Sequence, residues 1–523
     1  MAEWWRGAVV YELYPRSFCD SNGDGIGDLA GITARLDHVA GLRVDAVWIA
    51  PFFPSPMTDY GYDVSDYCAV DPQFGTLAEF DALLAKAHRL GLKVLIDQVW
   101  SHSSDRHPWF LDSAESGRKA DWYVWADAKP DGSPPNNWLS VFGGPAWRWD
   151  PRRRQYYLHH FLSSQPKLNL RHPEVMAAVL ESGAFWLDRG VDGFRLDAVD
   201  FMAHDPDLRD NPARPVAVTP LRPFGLQQHL HDMAHPDTVG LLRQVRGLMA
   251  RYPGTATIAE VSSEDDALRR ANACTSGEGG LHMAYTLRLM KGDFGAEPMN
   301  AAIAAVEQRF DDGWLCWAFS NHDVPRVAGR WGDGSPAFAR MAMALLLCLR
   351  GSVCLYQGEE LGLADADLPF EDLHDPYGIT FWPRFKGRDG CRTPMPWEAR
   401  KAHGGFTSGR PWLPLPPEHM ALAVDAQQVA PESMLNHTRR LLHWRKDHPA
   451  MVRGSLRQLR LDGGLIGFER HCGADRVRCI FNLGREPCSV DLPAGWRPAE
   501  ELGLSFNSDG LPGWGVLIAT AAG

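Results

Sequence analysis

No stretch of about twenty uninterrupted apolar residues occurs in the chain, so no membrane-spanning helix is expected. The opening MAEWWRGAVVYELYP lacks a basic start followed by a long apolar segment and cleavage site, and is not read as a secretion signal. Internal repeats and low-complexity tracts are missing too. Positive charge is in deficit: 53 basic against 65 acidic side chains leave a net charge of −12, which speaks against nucleic acid or an anionic membrane surface as partner. The short basic run Arg152, Arg153, Arg154 reads as a solvated loop face. The ten cysteines are scattered singly, with no paired zinc-ligand spacing, and are expected to be mostly buried free thiols in a reducing compartment. The protein is therefore expected in the cytoplasm, with its oligomeric state, monomer or dimer, left open.

What is present is an ordinary globular composition, 45% hydrophobic and 23% charged, over 523 residues, enough for two or three domains. Twenty tryptophans are spread along the chain, which favours core packing for any one of them. Strand-like runs alternate with helical ones, the pattern of parallel β/α architecture. The strands are read at 8–15, 44–52, 92–100, 190–200, 256–261, 281–286, 314–320 and 352–358, with helices near 29–40, 77–90, 173–189 and 431–446. Eight such units suggest a closed barrel with its active site at the carboxyl ends of the strands. Alternation stops between His102 and Leu170, where Trp, Pro, Gly, Asp and Asn dominate, so this segment reads as a small inserted domain. The tail from about Arg453 reads as an antiparallel β domain. The expected division is 1–101 with 171–452 for the barrel, 102–170 for the insert and 453–523 for the tail.

The strand ends carry the chemistry. In GVDGFRLDAVD (190–200) alternation along a strand sends Arg195 and Asp197 to the same side, and the guanidinium is expected to keep Asp197 ionised. Asp97 and His102 follow the third strand, Glu260 ends the fifth, and His322 and Asp323 end the seventh. Three carboxylates at one rim, without clustered His or Cys ligands, suit glycosyl transfer: an ionised nucleophile, a protonated acid, and negative charge beside an oxocarbenium-like transition state. Asp197 is the nucleophile candidate. Glu260, behind the apolar run ATIA and among negative neighbours, is the acid candidate. Asp323 is the third carboxylate, and His102 and His322 are expected to donate hydrogen bonds to sugar hydroxyls.

With those residues in place, LIDQVWSH (95–102), GFRLDAVD (193–200), IAEV (258–261) and FSNHD (319–323) resemble the four ordered regions of the α-amylase superfamily, glycoside hydrolase family thirteen. QPKLNL (165–170) resembles a fifth region of its α-glucosidase and oligo-1,6-glucosidase branch. The resemblance implies a (β/α)8 barrel, a domain B inserted after strand three, a C-terminal β-sandwich and retaining double displacement. It also implies that Asp59, in MTDYGYDVSDY (57–67), pairs with Arg388 of GRDGCRTPMPW (387–397) to clamp a terminal glucose, with Arg392 the weaker choice of arginine. Tyr62 would stack on the sugar. Asp59, Tyr62, His102, Arg195, His322 and Arg388 make up the expected binding set, and the clamp favours exo-action on short substrates.

Two positions depart from the family pattern. Ser101 stands where an Asn helps bind calcium in true α-amylases, which puts that site in doubt, and Lys167 stands where Asp is common. A different ion site is expected in DSNGDGIGD (20–28), where Asp20, Asn22, Asp24, the Ile26 carbonyl and Asp28 follow an EF-hand-like spacing around Gly25, without the closing Glu. Calcium or magnesium would serve there structurally, and no catalytic cofactor is expected. Ala198 follows the nucleophile; in the family a Val there accompanies α-1,6 cleavage, so maltose-like or sucrose-like substrates are favoured. The alternatives are a sucrose or trehalose isomerase or glucosyltransferase of the same chemistry, and, remotely, a non-catalytic transporter-associated subunit, which would lack the acids and carry a membrane span.

Overall fold

The structure, a computed structural model, describes residues 3–263, 266–310, 312–332, 334–504 and 510–521. Its centre is a parallel eight-stranded sheet of β1 (Val9–Leu13), β2 (Ala46–Ile49), β3 (Lys93–Gln98), β4 (Gly193–Leu196), β5 (Ala256–Val261), β6 (Met283–Thr286), β7 (Cys316–Trp317) and β8 (Ser352–Tyr356). The hydrogen-bonded order is β7-β8-β1-β2-β3-β4-β5-β6, and a parallel bridge between Ala284 and Leu315 closes the ring. Seven of these strands are buried throughout, and the third, β3, is half-buried only at Lys93; this is why their sequences read as apolar runs and not as alternation. Gly193 opens β4 with φ +153°, and a Cβ there would lie 1.8 Å from the Ala256 carbonyl oxygen, so only glycine lets β4 enter this close to β5.

Helices 29–41, 77–89, 173–188 and 336–348 lie among the elements between strands. Thr76 and Glu79 form a reciprocal capping box on the second of them. Strand seven is shorter than the sequence suggests, because the FSNHD segment bends at an Asn321–Val324 bridge instead of continuing the ladder. The late helix starts at Met434, where the Ser433 side chain caps it, and not at Pro431.

The insert carries a three-stranded antiparallel sheet of 125–126, 155–158 and 147–150, packed on its own cluster of Val124, Trp138, Ala146, Trp147 and Leu158. Bridges His102–Lys167 and Tyr123–Leu168 tie its two ends together above β3. The tail is one five-stranded antiparallel sheet. Ile466, Phe468, Val477, Cys479 and Phe481 face the barrel core, while its other face is covered by Leu461, Val490, Leu492 and Leu511, so loops supply the second layer of the expected sandwich among the described residues. All ten cysteines are free, seven of them buried. Among the described residues no helix is long and apolar enough to cross a membrane.

Candidate active site

Arg195, on β4, is fully buried and organises one end of the barrel. Its Nη1 donates to both oxygens of Asp97 at 2.8 Å and to Asp197 Oδ1 at 2.9 Å, and its Nη2 donates to Glu260 Oε2. Tyr285 accepts from the same guanidinium at 2.8 Å. The backbone places the acids as well. Asp197 N–H continues the ladder to the Gln98 carbonyl at 3.0 Å. Ala198 then turns into the left-handed region (φ 41°, ψ 50°), and its N–H donates to Glu260 Oε2 at 3.1 Å.

Sharing one cation among three acids reverses one sequence expectation. Arg195 does pull the Asp197 carboxyl down, but burial pushes it up first, and Glu260, Asp97 and Asp323 add to the push, so it lies well above the usual carboxylate range. Asp97 is likewise pushed up, to about 6, by burial against the pull of Arg195. Asp323 is the acid held low: burial opposes ionisation, but His322 and the Arg388 and Arg392 guanidiniums together outweigh it. The two guanidiniums donate to Asp323 Oδ1 at 3.0 and 2.7 Å.

Arg388 extends this second group. It donates to Asp59 Oδ1 at 2.7 Å and to Asp375 Oδ1 at 2.8 Å, which joins the loop after β2 to the segments after β7 and β8. Gln165, from the end of the insert, donates to Asp59 Oδ2 at 3.0 Å. Across the chamber, six carboxylates (Asp59, Asp97, Asp197, Glu260, Asp323 and Asp375) thus meet three guanidiniums.

Four residues expected to touch sugar have protein partners in this structure. Arg195 spends its donors on the acids and Tyr285. His102, kept neutral by burial at about 4, hydrogen-bonds through Nε2 to the Tyr62 carbonyl and through Nδ1 to Ser101 Oγ. His322 contacts Glu12 and the Tyr62 hydroxyl. Tyr62 stacks on His322 with an interplanar angle of 10° and is 6% exposed. These side chains build the walls behind the acids. Asp375, Gln165 and Glu12 are site residues that sequence reasoning missed: Asp375 sits in a loop of no regular period, and Glu12 sits unremarked within the first strand.

In the 20–28 loop the donors have hard-cation chemistry: three carboxylates, an amide and a carbonyl. Asp20 already accepts from the N–H groups of Asn22, Gly23 and Gly25 and from Thr407, and Asp28 from Ser21 and Gly31. Among the described residues no three acidic, His or Cys ligands come together. The loop is closed by its own amides, and an ion there would share Asp20 and Asp28 with them.

Residues 12–454 match the family described as alpha amylase, catalytic domain. A probable alpha-glucosidase of Rhizobium meliloti (strain 1021) is 52% identical over 99% of this chain and 97% of its own. Among solved structures, the alpha-glucosyl transfer enzyme XgtA superposes with a TM-score of 0.96 at 52% identity, covering all of both chains. An isomaltulose synthase variant from Erwinia rhapontici NX5, in complex with sucrose, superposes at 0.88 with 30% identity and 99% coverage of each chain. The chain is thus a glycoside hydrolase on a (β/α)8 barrel and belongs to the α-amylase superfamily, in its α-glucosidase branch.

Proposed function

We propose that the protein is an exo-acting, retaining α-glucosidase that releases glucose from the non-reducing end of short maltose-like or sucrose-like α-glucosides, with some glucosyl transfer. The observation that carries this reading is that Asp197 and Glu260 hang on the two terminal nitrogens of one guanidinium. Inverting glycosidases hold their acids far enough apart to admit a water, whereas retaining ones hold them close enough for one to attack the anomeric carbon.

Asp197 and Asp97, both pushed up by burial beside Arg195, keep a proton within the cluster. Asp197, on Nη1, attacks the anomeric carbon as a carboxylate; Glu260 gives its proton to the leaving oxygen and later draws one from the incoming water or sugar hydroxyl. Asp323, held ionised, stabilises positive charge on the ring. Asp59 and Arg388, bound to each other before any sugar arrives, take the hydroxyls of the terminal glucose and close the far end of the site. That closure supports exo-action on short substrates.

Glucosyl transfer or sucrose isomerisation is the second reading, favoured by the likeness to a transfer enzyme and to a sucrose-binding isomaltulose synthase. Product chromatography on sucrose, maltose, isomaltose and trehalose, with NMR of the first-formed anomer, tests both. Free α-glucose as main product supports hydrolysis; isomeric disaccharides support transfer; β-glucose overturns retention. A divalent ion in the 20–28 loop is a separate proposal, in which Asn22, Asp24 and the Ile26 carbonyl are the accessible ligands. Calcium or magnesium is expected to raise Tm over a chelator control, and an unchanged Tm removes the ion from the account.

A further inference from the structure

Glu12 lies in β1 and is completely buried. Its Oε1 is 2.5 Å from His322 Nδ1, His322 Nε2 is 2.7 Å from the Tyr62 hydroxyl, and that hydroxyl is 3.0 Å from Asp97 Oδ2. Three hydrogen bonds in series need three protons. Asp97 supplies none, because both its oxygens accept from Arg195 and Oδ2 also accepts from Trp48 Nε1 at 3.3 Å. Tyr62 supplies one and a neutral imidazole supplies one. The third belongs either to a doubly protonated His322 or to the Glu12 carboxyl.

Two observations decide between them. Burial together with Arg392, Arg195 and Arg388 opposes a positive charge on the His322 ring, holding it at about 3 although Asp323 pulls the other way. The second oxygen of Glu12, Oε2, has no hydrogen-bond donor among the described residues, so an ionised carboxylate would leave half its charge buried and bare. Burial pushes the Glu12 acid well up; Arg195 and the His322 N–H pull against it, and Asp323 and Asp97 reinforce it.

We propose that Glu12 is a protonated acid that donates to His322 Nδ1, and so sets the direction of the whole chain from β1 to Arg195. His322 Nε2–H then donates to Tyr62, and Tyr62 O–H to Asp97, which braces the guanidinium that holds Asp197 and Glu260. An ionised Glu12 beside a neutral ring would turn the first two links round and leave the Tyr62 oxygen facing Asp97 with no proton between them. Glu12 is a positioning residue: it acts through His322 and Tyr62 and touches no substrate.

The turnover arm of the test rests on the proposed glucosidase activity; the spectroscopic arms read Glu12 and His322 directly and stand without it. In infrared difference spectra of the parent minus Glu12→Gln at pH 8, a protonated-carboxyl C=O band is expected. With ring-15N histidine, His322, assigned by its missing signal in His322→Gln, is expected with a bare Nδ1 and a protonated Nε2. Glu12→Gln, whose amide N–H can reach the same nitrogen, should keep at least half of kcat and the parent pH profile, while Glu12→Leu should lose tenfold or more in kcat with its near-UV circular dichroism intact. An imidazolium at His322, an Nδ1–H tautomer, no acid band, or a Gln variant as impaired as the Leu variant each overturns the proposal.

Discussion

Asp197 has to share its guanidinium with Asp97 and Glu260, and that sharing governs how the site should respond to pH and mutation. Replacing it in Asp197→Asn keeps the shape and removes the proposed nucleophile; kcat should fall at least about a thousandfold with Tm within a few degrees of the parent, and unchanged turnover would take Asp197 out of its role. Because Asp97 titrates at about 6, the acid limb of kcat/KM should fall as pH drops through that value, when Arg195 loses a charged partner. A flat profile down to pH 5 contradicts this. Ala198 occupies a left-handed conformation that branched side chains resist, so Ala198→Val should cost about 1–3 kcal/mol in denaturant unfolding even where it shifts linkage preference toward α-1,6 bonds. At this scale Asp197, Glu260 and Asp323 were legible because each stands at the end of an apolar run, where a charge is conspicuous. Asp375 was not, and Arg392 stood only as the weaker choice of clamp arginine: its contact with Asp323 spans 69 residues of chain, and a contact that distant leaves no local pattern.

Among elements, the turn after β4 is held from an unexpected quarter. Lys167, at the end of the insert, is buried and donates to the Phe201 and Met202 carbonyls at 2.5 and 3.1 Å. Among the described residues no carboxylate pairs with it, and burial, with Arg171 adding to it, lowers the amine to about 7 from the usual 10.5. The unfolded chain therefore holds this proton between pH 7 and 10.5 where the folded chain does not, so stability rises with pH across that window and the penalty is full below it. Lys167→Met should remove that slope: its Tm relative to the parent should be highest near pH 6.5 and decline toward pH 10, and parallel curves would count against a buried neutral amine. The sequence flagged Lys167 as a departure without a role, because its partners are backbone carbonyls, which have no sequence signature. Strand positions were readable for the opposite reason, since burial on both faces writes itself as a run of apolar residues, whereas helix starts depend on single caps such as Ser433.

For the molecule as a whole, the tail is part of the barrel's structure. Arg470, fully buried in the tail, donates to the Cys348, Leu349 and Gly454 carbonyls, and Arg445, on the last barrel helix, does the same within the barrel for Gly7, Leu347, Gly351 and Met451. A chain cut before Arg453 should therefore lose near-UV circular dichroism and run as aggregate on size exclusion, and a monomeric, cooperatively unfolding fragment would contradict this. The order of barrel, insert and tail could be read from composition shifts, but these anchoring arginines could not, for the same reason as Lys167. The surplus of acids over guanidiniums in the chamber reaches beyond the enzyme to the bench. A compact ammonium decorated with hydroxyls should be drawn to where the cationic ring of the reacting sugar would lie, so a buffer such as Tris is expected to compete there. Rates taken in it should trail those in phosphate at equal pH, and the shortfall should fade once alkali strips the amine of its charge.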